Sequence, residues 1–90
     1  MLFMTIYSWE PEQRDEVIKR RAQGPALPEG LKAIGEWVQV GGNRSFRLID
    51  IPDAKLALAA SLPWSDIGKL EIFPVMDSEE VIKLATQGKQ

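Results

Sequence analysis

Few side chains in this chain suit proton transfer or nucleophilic attack. It contains no His and no Cys. That removes the usual base near neutral pH, thiolate nucleophiles, disulfides and Cys metal sites. Ser65 therefore lacks the base that serine-hydrolase chemistry needs. The polar candidates are Tyr7, Arg47, Asp66 and Glu71. Asp66, buried beside an Arg, would orient a substrate or accept a proton. An Asp in a Ser-x turn more commonly caps local backbone, and Ser65-Asp66 fits that role. Arg47 presents a planar fork suited to a carboxylate. Its competing role is a cross-strand ion pair, with Glu36 as the partner. Tyr7 needs a hydrogen-bond partner if buried. Trp9, Trp37 and Trp64 are three large amphipathic residues in a short chain. They can wall a pocket for a flat ligand, with indole N–H groups as donors, or fill core and interface. Trp64 stands out because it follows Pro63, where a helix is interrupted and a side chain can turn into a cavity. The expected ligand-binding set is Trp37, Trp64, Asp66, Tyr7 and Arg47.

Other chemistries find no support. Gly41-Gly42 lies in a hairpin rather than between strand and helix, so it is no phosphate loop. No carboxylates show metal-ligand spacing, and no cofactor is expected. Eleven basic residues against thirteen acidic give a net charge of −2, and Lys19-Arg20-Arg21 reads as a solvated helix end. Nucleic acid is not an expected partner. No stretch reaches the ~20 apolar residues of a membrane helix. Met1 to Tyr7 is apolar but has no basic leader and runs into Glu10, unlike a secretory signal. A cytoplasmic location is the expectation.

The elements that must hold these residues follow from pattern and punctuation. Leu2 to Trp9, rich in β-favouring residues, predicts a strand. Pro11 to Gln23 predicts a helix. Pro suits its first position, acidic residues lead, Lys19, Arg20 and Arg21 close it, and Gly24 stops it before Pro25. Leu31 to Val40 predicts a second strand, with Gly35 marking a bulge or a close backbone approach. Gly41 to Arg44 is a turn, and Ser45 to Ile51 completes a hairpin. Asp53 caps a helix that runs from Ala54 until Pro63, and Pro63 to Ile67 forms a short extra turn. Lys69 to Met76 predicts a fourth strand. Pro74 makes it an edge or bulged strand. Asp77 and Glu80 form a capping box for a closing helix with Val81, Leu84 and Ala85 on one face and Gly88 at its end.

The order β-α-β-β-α-β plus a terminal helix is the α+β, ferredoxin-like arrangement, a single domain over residues 1–90 with a four-stranded antiparallel sheet. Its second and fourth strands lie at the edges, where Gly35 and Pro74 are tolerated. Both faces of the sheet are apolar. The first strand offers Phe3, Thr5, Tyr7 and Trp9 on one side and Leu2, Met4 and Ile6 on the other. The third offers Phe46 and Leu48 against Ile49 and Ile51, and the fourth Leu70, Ile72 and Met76 against Phe73 and Val75. Helices of one subunit cover one face only, and a wet second face would be a larger apolar patch than soluble monomers expose. At this length, burial and ordering entropy nearly cancel. A homodimer closed through the open faces is therefore expected.

Certain residues also carry a resemblance. Trp9, Pro11 and Arg14-Asp15-Glu16, then Gly35-Glu36-Trp37, Gly41-Gly42 and Phe46, resemble a small prokaryotic family of uncharacterised domains. So do Pro63-Trp64-Ser65-Asp66 and Phe73-Pro74-Val75. That family is similar to the dimeric α+β barrel superfamily, in which two ferredoxin-like sheets pack face to face. The resemblance implies the same fold and dimer as the pattern does, and assigns no activity. Superfamily members include haem-degrading and cofactor-independent monooxygenases, chlorite dismutase-like proteins and lactone isomerases, with sites between sheet and helices. The haem binders use an axial His, which this chain lacks. Three functional expectations follow. The first is a dimer binding a small apolar or aromatic metabolite. The second is a cofactor-independent monooxygenase or isomerase on such a compound, with Asp66, Tyr7 or Arg47 as polar participants. The third is a structural or interaction module with no ligand.

Overall fold

A computed structural model describes residues 1–24 and 26–87. Four strands and three helices alternate as the pattern predicts: β1 (Leu2–Ser8), α1 (Arg14–Gln23), β2 (Lys32–Val38), β3 (Arg44–Asp50), α2 (Ala54–Ser61), β4 (Lys69–Val75) and α3 (Ser78–Gln87). The sheet is antiparallel throughout, in the order β2-β3-β1-β4. This is the ferredoxin-like α+β fold. The two strands carrying Gly35 and Pro74 lie at its edges, where a missing N–H or a weakened ladder costs least.

Local chemistry sets the element ends. Asp53 caps α2 by accepting the Lys55 N–H at 2.8 Å, and Gly24 closes α1 at φ 53°, a backbone region that favours glycine. The β2–β3 turn uses Gly41 at φ 74°. Three expectations need correction. Pro11–Gln13 forms a 3-10 turn ahead of α1 rather than its first α-helical residues. The Leu31 and Val40 ends of the second strand lie outside the ladder, beyond the residues that β3 pairs. Asp77 caps α3 by accepting the Glu79 N–H at 2.8 Å, but among the described residues Glu80 makes no reciprocal bond, so only half of the capping box forms. Pro25 and Gly88, expected to follow and to end helices, lie outside the described residues.

Register divides the strand side chains between two faces. Facing the helices are Phe3, Thr5 and Tyr7 of β1, with Ile49, Arg47 and Ser45 opposite them on β3. Leu70 and Ile72 of β4 share that face. A β-bulge at Ile34 separates the pairs Ala33–Ile49 and Gly35–Leu48. The extra residue reverses the alternation of β2 beyond it. Glu36 and Val38 therefore face the helices, opposite Arg47 and Ser45, while Trp37 pairs with Phe46 on the other side.

The core lies on the helix-covered face: Phe3, Ile49, Ile51 and Ala57, with Leu31 and Leu56 against it. Ile49 and Ile51 are almost fully buried, worth roughly 2 kcal/mol each. Cover is otherwise thin. α1 buries only Val17 and α2 only Ala57. The opposite face, here the open face, carries Met4, Ile6, Phe46, Leu48, Phe73 and Trp37, none of them buried. α3 buries no residue, and its Val81, Ile82 and Leu84 are at least half exposed. The molecule measures 55 × 31 × 18 Å, with a radius of gyration of 15.6 Å. A compact chain of this length gives about 12 Å. No helix among the described residues is long and apolar enough to cross a membrane.

Candidate functional site

Thin helical cover leaves a cavity of about 570 Å³ between the covered sheet face and helices α1 and α2. Its floor is the alternate residues of three strands: Thr5 and Tyr7, Ser45, Arg47 and Ile49, and Glu36 with Val38. Val17, Ile18 and Ala22 of α1 and Ala57 and Ala60 of α2 close it from above, and Trp9, Trp64 and Leu70 complete the wall. A smaller space of about 350 Å³ adjoins it under α2, beside Phe3 and Ile72.

Tyr7 organises the aromatic end. Its O–H donates to the Trp64 carbonyl at 2.8 Å. Its ring meets Trp64 edge-on, with centroids 5.6 Å apart at 71°, and Trp9 at 5.8 Å. Such contacts fix ring orientation and add about 0.5–1.5 kcal/mol each beyond burial. Burial pushes the Tyr7 phenol above its usual pKa. Arg20 opposes that shift and Asp66 adds to it. Gly68 makes the arrangement possible, since a Cβ there would collide with the Tyr7 ring and the Ser8 carbonyl.

Charge gathers at the other end. The Glu36 carboxylate accepts from Arg21 Nη2 at 2.6 Å and from Arg47 Nε at 2.7 Å. Burial alone would raise its pKa, but the two guanidinium hydrogen bonds outweigh this and hold it below the usual carboxylate range. Arg47 is the most enclosed of the three, at 22% side-chain exposure. The Thr5 hydroxyl donates to the Arg47 carbonyl at 3.2 Å. The ion-pair role considered for Arg47 is thus present, with Arg21 as a third member.

Tyr7, Arg47 and Trp64 come together at this cavity, while Trp37 and Asp66 stand apart from it. Trp37 is 54% exposed on the open face, where its ring lies over Gly35, close enough to block a Cβ there. Strict alternation from Ala33 would have sent it to the helix side, and the bulge at Ile34 is what diverts it. Asp66 sits in the turn after α2 and accepts from Arg20 Nη1 at 2.6 Å. The Arg20 hydrogen bond, chiefly, holds the Asp66 pKa below its usual value against a smaller opposing desolvation. Arg20 also donates to the Pro63 carbonyl at 2.7 Å and to Glu16, which fastens α1 to the turn carrying Trp64. Sequence reasoning missed Arg21 and Glu36 as cavity residues and Arg20 and Gly68 as supports, and it named Trp9 as a possible pocket wall without placing it in the expected set. The available signals were the bulge at Gly35, which sets the facing of Glu36, and the glycine between Ile67 and the next strand.

Tyr7 stays protonated and Glu36 stays ionised across the neutral range. No cluster of three Asp or Glu side chains suited to a metal ion occurs among the described residues. No curated protein and no solved structure matches the chain. Residues 1–89 match the model of a family described as a domain of unknown function (DUF3303), and the chain belongs to that family.

Proposed function

We propose that this protein is a cytoplasmic homodimer, one domain per chain over residues 1–90. It binds a small apolar or aromatic metabolite between sheet and helices. The observation that carries the reading is the 570 Å³ cavity itself. It falls in the size range of small-molecule sites, which are apolar with a few convergent polar groups. Trp64 and Tyr7 form its aromatic wall and Arg47 its polar end. Fixed protonation states favour binding over acid–base chemistry. The dimer is supported by the open face and by α3, whose Val81, Ile82 and Leu84 are at least half exposed. Two open faces packed together give the arrangement of the dimeric α+β barrel superfamily. In that arrangement Trp37 belongs to the interface, and Asp66 steadies the cavity roof through Arg20.

Titration with naphthamide, a neutral aromatic probe, followed by tryptophan fluorescence, tests the reading. Saturable quenching is expected, with affinity falling about tenfold or more in Trp64→Ala as an aromatic wall is lost. Absence of saturation, or a Trp64→Ala variant that binds as the parent does, contradicts it.

A further inference from the structure

We infer that the ligand of this cavity carries a carboxylate, seated against Arg47 and Arg21 where they meet Glu36. The inference rests on the cavity being the binding site proposed above and specifies the chemical class that it takes. The charged side chains lining the cavity are Arg14, Arg21, Arg47 and Glu36. Arg14 is paired with Asp15 at 3.2 Å, which leaves two guanidiniums sharing the one Glu36 carboxylate, a local excess of one positive charge in a chain whose net charge is −2.

Glu36 does not satisfy its partners. Arg47 commits only Nε and Nη2 to the carboxylate, and Arg21 only Nη2. Among the described residues the Nη1 side of the Arg47 fork makes no hydrogen bond. A guanidinium this enclosed is costly when part of its fork is unpaired, and a second carboxylate is the group whose geometry matches that fork. The remaining lining is mostly apolar, from Val17 and Ile49 to Leu70, with the hydroxyl residues Thr5, Ser45 and Ser61 among it, so the ligand is amphiphilic, with an anionic head and an apolar or aromatic body.

A matched pair of probes, naphthoate and naphthamide, tests this against the intact protein. They share a body and differ in the charge of one group. Naphthoate is expected to bind at least about tenfold more tightly, the usual strength of a charge-assisted pair. The preference should shrink in Arg47→Gln and in Arg21→Gln. It should persist in Lys19→Gln, which removes the same charge from an exposed position away from the cavity. Arg21 is 59% exposed, so its variant carries the test if Arg47→Gln fails to fold. Equal binding of acid and amide overturns the carboxylate and leaves the cavity reading standing. Loss of the preference in Lys19→Gln overturns it as well, since bulk charge would then explain it. Failure of both probes to bind overturns both proposals.

Discussion

The two faces of this sheet differ in what covers them and in where their polar side chains sit. Antiparallel sheets commonly turn apolar residues to their helices and polar ones to water. Here the helix-covered face holds Arg47, Glu36, Thr5 and Ser45 among its residues, along with Tyr7. The uncovered face holds Met4, Ile6, Leu48, Phe46 and Phe73 at its centre, with Arg44, Asp50, Lys69 and Glu71 toward the strand ends. Polar groups under a thin roof are what a binding site needs, and apolar groups without a roof are what an interface needs. Under the proposed function the same four strands would serve two tasks, one per face, and the register of each strand decides which residue lies on which face.

The strongest way to break the comparison is a charge on the open face. Met4 lies on β1 between Leu48 and Phe73, so Met4→Asp would bury a carboxylate in the proposed dimer. We expect the dimer to weaken by 100-fold or more, about 3 kcal/mol, from an unpaired buried charge. Light scattering across a dilution series reads this, and an unchanged mass would place the interface elsewhere. On the covered face, Gly68→Ala should cost about 1–3 kcal/mol, since the new methyl forces Tyr7 or the Ser8 backbone to move. Thermal unfolding together with near-ultraviolet circular dichroism would show both the loss and the disturbed Tyr7–Trp64 contact. A neutral outcome would mean that Tyr7 is not held as described.

Smaller effects sharpen the account. Tyr7→Phe leaves the Trp64 carbonyl without its donor, worth about 1 kcal/mol in denaturant unfolding. It should also loosen Trp64, visible as a shifted emission maximum. Glu36 offers a pH test. Its folded carboxyl is held below the usual 4.5, so its contribution is complete above that value and fades as pH falls through the folded pKa. The stability gap between the parent and Glu36→Gln should be below about 1 kcal/mol near neutrality, given partial solvent screening. It should close in acid. A gap that widened on acidification would contradict the clamp.

Much of this fold was legible because its signals are local. Asp53 as a cap, Gly24 as a stop, and Gly35 and Pro74 as edge-strand residues each report a constraint met within a few residues. The two-sided apolarity of β1 likewise follows from period-two counting. The site was legible only in part. Tyr7 and Arg47 face the cavity by simple alternation. Trp37 does not, because one extra residue at Ile34 inverts β2 from that point on, and a bulge can be suspected from Gly35 without its exact position being known. Asp66 sits in a turn, where no period dictates direction. Arg20 and Arg21 look like ordinary helix-end charges. Their partners Asp66 and Glu36 are distant in sequence, and only the packed chain brings them together.

Sedimentation equilibrium of the parent protein at micromolar concentration addresses the division of labour most directly. A covered face reserved for a ligand and an open face sealed by a second copy require a particle of twice the 10.1 kDa chain mass. A single 10.1 kDa species throughout the concentration range would leave Met4, Ile6, Leu48 and Phe73 facing water, and the assignment of the two faces would fail.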